Sequence, residues 1–303
     1  MISICIPIYN FDVRPLVGQL FKEIQSLNNG CEIICIDDDS DDYFKNINGN
    51  FCDKCGEYVQ LYENIGRAKI RNLFLKYAAN DYLLFLDCDS IVTNDNFVKN
   101  YLLCLSENPS VVCGGRVYPP ERPETHFLLR WKYGHKRESK PASLRKRKPH
   151  KSFMTNNFII HKSILLSIQF EERISKYGHE DTLYGFMLQQ NGIPVVQTDN
   201  SILNGELETN AEFLAKSEMA LENLAFIIAQ LNENREFISN VTILRWYYRL
   251  KAIKLLFVIS LMRVFFLRCF HKRLISGKAC IRIFDMYKLI LFDKFYKKFF
   301  SSR

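Results

Sequence analysis

The sequence predicts an α/β fold with a doubly wound, Rossmann-like sheet flanked by helices, followed by a helical, basic and aromatic extension. Three observations carry this. Apolar runs at 2–8, 32–36 and Tyr82–Leu86 alternate with segments of helical periodicity, the pattern of a βαβ chain. Each run gives way at its carboxyl end to turn-forming or acidic residues, where ligands of such sheets sit. The charge is also divided: residues 241–303 hold 15 Lys and Arg against Asp285 and Asp293, a net of +13, whereas residues 1–240 carry a net of −5.

At 303 residues there is room for a large α/β domain plus an appendage, expected at 1–210 and 211–303. A composition of 48% hydrophobic and 24% charged residues excludes a disordered chain. An acidic body with a basic tail calls for an anionic surface, a membrane or a nucleic acid. No nucleic-acid-binding module accompanies the charge, so nucleic acid is not expected. The ten cysteines are scattered, and Cys5, Cys35 and Cys113 fall in strand-like segments. No secretory signal precedes the first strand, which points to a reducing cytoplasm and unpaired thiols. Cys52-x-x-Cys55 lacks a matching second pair and is read as a surface loop before half of a zinc site.

The first strand ends in Pro7, Tyr9 and Asn10, and Pro15 opens a helix with Leu16, Leu20, Ile24 and Leu27 at helical spacing. The second strand runs into Asp37-Asp38-Asp39-Ser40-Asp41-Asp42, either a solvated loop or part of a site. Asn64-Ile65-Gly66 leads into a helix with Ile70, Leu73, Phe74 and Tyr77 on one face; Arg67, Lys69 and Arg71 lie near its start, where cations oppose the helix dipole unless an anion binds there. Tyr82–Leu86, apolar throughout, is a strand covered on both faces, and Asp87 and Asp89 follow it. Two carboxylates that close are costly unless a cation or hydrogen bonds offset their repulsion; a solvated turn is the plainer reading. Glu180-Asp181 precedes a helix carrying Leu183, Phe186 and Met187, and an acidic pair there is commonly a cap.

In order and spacing, the segments 3–10, 36–42, Asn64 to Gly66 with Arg71-Asn72, and Asp87-Cys88-Asp89 resemble the family 2 glycosyltransferases of GT-A fold. Gly114-Gly115-Arg116, Asn156-Asn157 and Gly178-His179-Glu180-Asp181 extend the resemblance over about the first 205 residues. It implies an inverting, hexosyltransferase-like enzyme that uses a nucleotide-sugar donor, UDP-linked in our reading. It also implies a Mg2+ or Mn2+ cofactor, and as acceptor a hydroxyl of a glycan or lipid-linked oligosaccharide.

The same resemblance distributes roles. Tyr9 would stack on the base, with Pro7 beside it, and Asp38 would accept the base N–H. Asp37, Asn64, Gly66 and Arg71 would line the donor pocket, with Arg71 near the diphosphate. Asp89 would bind the metal directly and Asp87 would reach the ribose or bind through water, as hard oxygen ligands suited to a hard ion. Arg116 and Asn157 would contact donor or acceptor sugar or serve structural hydrogen bonds. Asp181 matches the general base, with Glu180 beside it facing the acceptor. Asn204 stands where many similar enzymes carry a further metal-binding His. His179 is read as a local hydrogen-bonder.

Between Arg130 and Lys151 ten cations face Glu138 alone. This segment is either a solvated loop or a cover that brings Arg145, Lys146, Arg147 or Lys148 over the diphosphate. Residues 212–231 form an amphipathic helix expected to pack on the catalytic domain. Beyond it the apolar stretch 255–262 is far shorter than the roughly 20 residues a bilayer span needs. The tail is therefore a packed or dimer-forming appendage, or lies at a membrane interface, which would make the protein peripheral on the inner face of the cell membrane. A catalytically silent partner of the same fold is the alternative function, kept open by Asn204. A nucleotidyltransferase is disfavoured because its Gly-rich basic loop is missing after the first strand, and nicotinamide chemistry because the G-x-G-x-x-G turn is missing.

Overall fold

The apolar run at the N-terminus forms strand β1 (Ile2–Ile8), and its residues alternate between two cores. Ile2, Ile4, Ile6 and Ile8 meet Leu16, Val17 and Leu20, while Cys5 faces the opposite side with Ile34, Ile36 and Phe74. The computed structural model describes residues 1–27, 30–174, 177–278 and 280–300. Two units are resolved in it: Met1–Pro119, Glu138–Ser175 and Tyr184–Glu206 form the first, and Pro120–Arg137, Lys176–Leu183 and Leu207–Arg303 the second.

In the first unit, β2 (Glu32–Asp37), β3 (Glu57–Gln60), β4 (Tyr82–Leu86), β6 (Val111–Cys113), β8 (Asn157–His161) and β9 (Val195–Gln197) join β1 in a seven-stranded sheet of order β3-β2-β1-β4-β8-β6-β9. The sheet is mixed, because β8 runs antiparallel to both β4 and β6. A second sheet, β5-β10-β7, is made of β5 (Ser90–Val92), β7 (Arg116–Val117) and β10 (Ile202–Asn204). Helices α1 (Arg14–Leu27), α2 (Asp42–Cys52), α3 (Arg67–Tyr77), α4 (Phe97–Cys104), α6 (Ala142–Arg145) and α7 (Lys162–Ser167) belong to the same unit. The unbroken apolarity of β4 has a direct cause: Leu84 and Leu86 pack into one core, Leu83 and Phe85 into the other, and Phe85 stacks on Phe158 at 4.9 Å.

The chain winds outward from β1 through β2 to β3, then returns to place β4 on the other side of β1. That reversal makes the β1/β4 boundary a topological switch point. The β1–β4 ladder stops at Cys5 and Phe85, whereas β1 stays paired with β2 to Ile8 and Asp37. The sheet therefore opens at the carboxyl ends of β1 and β4. Pro7, with no N–H to donate, falls in the stretch of β1 that β4 has left.

The second unit is helical: α5 (Leu128–Tyr133), α9 (Asn210–Gln230), α10 (Arg235–Asn240), α11 (Thr242–Ala252), α12 (Leu256–Ile275) and α13 (Ile281–Phe300). A capping box, Thr209 with Glu212, starts α9. Asp293 is fully buried, accepting Tyr247 Oη at 3.2 Å and Lys297 Nζ at 2.8 Å. Glu233 accepts from Tyr248 Oη at 2.6 Å, Lys251 Nζ at 3.2 Å and Tyr296 Oη. Among the described residues no helix is long and apolar enough to cross a membrane.

Several expectations change. The second unit takes in 120–137 and 176–183 besides the C-terminal region, and the expected extension's last residues, 301–303, lie outside the described ones. Helix α9, expected to pack on the catalytic domain, packs in its own unit against α13, α12 and α5. Cys52 sits in the core instead of a surface loop, hydrogen-bonded with Cys35, because α2 turns its C-terminal end onto β2. The basic segment is built of short helices, and Arg145 is only 2% exposed.

Candidate active site

The carboxyl ends of β1 and β2 are tied together by Asn10. Its backbone N–H donates to Ser40 Oγ at 2.8 Å, and its Oδ1 accepts from Asp41 N at 2.7 Å. Asn10 takes a left-handed φ of 48°, which Asn tolerates better than most residues. Tyr9, just before it, is 53% exposed and offers an open ring at the mouth of the crevice. Asp38 is 6% exposed, and its carboxylate accepts the backbone N–H groups of Ile65 (2.7 Å) and Gly66 (3.0 Å). Asn64 Nδ2 donates to the Asp38 carbonyl at 3.1 Å. These bonds hold the loop that enters α3, where Gly66 takes a φ of 82°. Burial pushes the Asp38 carboxyl above its ordinary range, with Asp37 and Asp39 adding to the rise and the two amides acting against it.

At the end of β4, Asp87 accepts from Arg71 Nη2 at 3.1 Å. Burial opposes ionisation of Asp87, yet Arg71, then Arg67 and Arg116, outweigh it and hold the carboxyl below its ordinary range. Asp89 goes the other way: burial raises its pKa and the charge of Asp87 adds to the rise. The pair thus holds one compensated carboxylate and one that lacks sufficient positive charge. Asn204 lies alongside in the second sheet, where β10 pairs antiparallel with β5 and sets Asn204 opposite Ser90. Gly205 N donates to the Asp89 carbonyl at 3.3 Å. A Cβ at residue 205 would lie 2.8 Å from Ile91 Cδ1 and 3.0 Å from that carbonyl, so any larger residue there would push Ile91 aside and crowd the approach. Asn204 Nδ2 donates to the Glu206 carbonyl at 2.8 Å, which fixes the amide nitrogen and leaves its oxygen as an acceptor.

These residues fit a small divalent cation. Two carboxylates and an amide oxygen are hard donors, the undercompensated charge on Asp89 favours a cation, and Mg2+ or Mn2+ completes its coordination with water and phosphate oxygens. Among the described residues there is no cluster of three or more His, Cys, Asp and Glu able to hold a metal.

Other expected site residues stand differently. Asp37 is fully buried, with Oδ1 accepting from Ser40 N at 2.7 Å and Oδ2 from Tyr58 Oη at 3.0 Å; it fastens the end of β2 and does not line the crevice. Arg71 is also buried, and one of its nitrogens donates to the Arg67 carbonyl at 3.2 Å, so its charge reaches the crevice through Asp87. Asn157 is 1% exposed: it accepts from Tyr101 Oη at 2.6 Å and spends both amide hydrogens on the carbonyls of Gly115 (2.9 Å) and Asn200 (2.8 Å), a buried structural node with no donor left for a sugar. Arg145, expected over the diphosphate, donates to the carbonyls of Lys140, Cys113, Gly114 and Thr198 and to Gln197. Lys146, Arg147 and Lys148 remain exposed.

Arg116 has partners that sequence reasoning missed. It donates to Glu138 Oε2 and Tyr118 Oη, each at 3.2 Å, and the Asn156 amide, oriented to accept, takes its Nε at 3.0 Å. The signal for Glu138 was its being the sole acid in a run of ten cations.

Glu180 and Asp181 lie in the second unit, in the first turn of α8 (Glu180–Gln190), which crosses the division after Leu183. Asp181 Oδ1 accepts from Thr182 N at 2.6 Å. His179, with a φ of 65°, receives Leu183 N on its carbonyl and so turns the chain into the helix. Burial, aided by Lys288, lowers the His179 pKa to about 4, so the ring is neutral near pH 7 and acts as a local hydrogen-bonder to Thr182 Oγ1 at 3.2 Å.

The architecture is that of the GT-A glycosyltransferases. Over the whole chain it matches a mannosyltransferase of Pyrobaculum calidifontis, solved with GDP-Man and Mn2+, with a TM-score of 0.60, 13% identity and 88% of that chain covered. Glucosyl-3-phosphoglycerate synthase of Mycobacterium tuberculosis, solved with Mn2+ and UDP, matches with a TM-score of 0.51 and 17% identity, over 74% of this chain and 78% of that one. TarS of S. aureus matches with a TM-score of 0.51 and 19% identity over 75% of this chain and 43% of its own.

The description Glycosyl transferase family 2 matches residues 3–168, more than half of the sequence, and the chain belongs to that family. A curated relative from Haemophilus influenzae, described as an uncharacterized glycosyltransferase, is 39% identical over 108 residues, which amount to 34% of this chain and 42% of the relative's length.

Proposed function

We propose that the chain transfers a sugar from a nucleotide-sugar donor, UDP-linked in our reading, to a hydroxyl of a glycan or lipid-linked oligosaccharide, with inversion. The observation that carries this is the crevice at the β1/β4 switch point, which collects the exposed ring of Tyr9, the buried carboxylate of Asp38, and Asp87, Asp89 and Asn204. The donor would lay its base on Tyr9 beside Pro7 and Asp38, and its diphosphate toward Asp89, with Arg67 and Arg116 as the nearby positive charge. Asn64 and Gly66 shape the wall of that pocket through their bonds to Asp38, and Asp37, Arg71 and Asn157 act as positioning residues. The bound divalent ion supplies Lewis-acid neutralisation of the departing diphosphate.

On the resemblance to the family, Asp181 would take the acceptor proton as the acceptor oxygen bonds to the anomeric carbon and the bond to the diphosphate oxygen breaks on the opposite face. Its role and that of Glu180 rest on the resemblance to the family. The Mn2+ complexes of the Pyrobaculum and Mycobacterium enzymes support a metal-assisted, nucleotide-dependent reaction, and family membership disfavours a catalytically silent chain. The basic C-terminal region would hold the enzyme on the inner face of the cell membrane, where lipid-linked acceptors lie. The test is a panel of nucleotide sugars incubated with Mn2+: this reading expects release of nucleotide from a UDP-sugar, and no release from any donor would refute it.

A further inference from the structure

We propose that α12 lies in the surface of an anionic bilayer, inserting one stripe of its N-terminal half. Phe257, Leu261, Val264 and Phe265 recur at helical spacing and are between 56% and 74% exposed, whereas Ile259 and Leu274 on the opposite side are buried. Four large apolar side chains on one outward stripe are unusual on a water-facing helix. The stripe changes character along its length: Arg268 and Lys272, also exposed, continue it for two further turns. An apolar half followed by a basic half suits a helix whose first turns dip below the headgroups while its cations meet lipid phosphates. Arg263, Arg268 and Lys272 within the same helix rule out a span.

The charge of the region selects the partner. Residues 241–303 carry a net of +13, and their two acids are engaged: Asp293 is buried with Lys297, and Asp285 pairs with Arg137 and Lys288. Pairing this stripe with its copy about a two-fold axis would bring the exposed Arg268 and Lys272 toward further cations, whereas an anionic bilayer complements them. The inference deepens the membrane part of the proposed function, and it needs no turnover to be true.

The test uses the full chain and flotation with vesicles of phosphatidylcholine, with and without phosphatidylglycerol. The wild type floats with the anionic vesicles and not with the neutral ones. The variant Phe257→Ser/Leu261→Ser/Phe265→Ser binds the anionic vesicles at least about tenfold more weakly, and Arg268→Glu/Lys272→Glu weakens binding by about tenfold or more. Both keep the circular dichroism of the wild type and its nucleotide release. Absence of wild-type binding, or binding by both variants equal to wild type, overturns the proposal. So does a wild-type dimer that the triple variant converts to monomers, since the stripe would then be covered by a second copy. Vesicle binding without any nucleotide release would sink the transferase reading alone.

Discussion

The guanidinium of Arg71 and the carboxylate of Asp87 meet at 3.1 Å, and the arginine is buried while the aspartate still reaches the crevice. α3 and β4 are thereby locked together at the point where the sheet opens. Replacing Arg71 by Gln leaves Asp87 without its main compensating charge and lowers stability by about 3 kcal/mol. In Arg71→Gln/Asp87→Asn part of that loss returns. Denaturant melts of the wild type, Arg71→Gln, Asp87→Asn and the double variant measure the coupling, and additive losses would contradict it.

Asp89 carries charge that its neighbours do not offset. Without metal, Asp89→Asn melts at neutral pH at or above the wild type, by about 1 kcal/mol or about 2–4 °C for a chain of this size. Mn2+ with UDP raises the wild-type melting temperature and leaves the variant where it is. A variant that responds to Mn2+ with UDP as the wild type does would take Asp89 out of the metal site.

His179 gives a pH dependence of definite sign. Its pKa falls from an ordinary 6.5 to about 4 in the folded chain, so the unfolded state binds the proton first. Stability from this group is present above about pH 6.5 and is lost as pH falls toward about 4. Asn tolerates the left-handed backbone at this position and does not titrate, so His179→Asn flattens the melting curve over that window. Parallel slopes in the two proteins would show that other groups set it.

The basic segment separates into a structural and a surface part. Arg145→Ala removes donors from five carbonyl or amide acceptors and destabilises by about 3 kcal/mol or more. Changing Lys146, Arg147 and Lys148 together to Ser leaves the fold intact and raises the KM for donor or acceptor. Steady-state kinetics beside thermal melts distinguish the two, and unchanged kinetics would remove these cations from the reaction.

Much of the catalytic unit was legible because strands covered on both faces need unbroken apolar runs, as in Tyr82–Leu86, and because acidic turns must follow them. The roles of Asp37, Asn157 and Arg145 were not legible. Each is a buried polar group satisfied by partners distant in sequence, such as Tyr58 for Asp37, Tyr101 for Asn157 and Gln197 for Arg145. A residue type suited to ligand contact is equally suited to closing such a network, and only the folded distances decide. The pairing of Asn204 with Ser90 was likewise invisible, since it depends on a short antiparallel ladder between segments more than a hundred residues apart. In the second unit, helical periodicity located α9 but not its partners.

The central claim is that Asp89, with Asn204 beside it, holds a divalent ion against a nucleotide diphosphate in the β1/β4 crevice. Calorimetric titration of UDP into the wild type, Asp89→Asn and Asn204→Ala, each with Mn2+ and with a chelator, addresses it most directly. The account predicts binding by the wild type only with Mn2+, weaker binding by Asn204→Ala and loss of the Mn2+ effect in Asp89→Asn. UDP affinity that is the same with and without Mn2+, in wild type and Asp89→Asn alike, would contradict it.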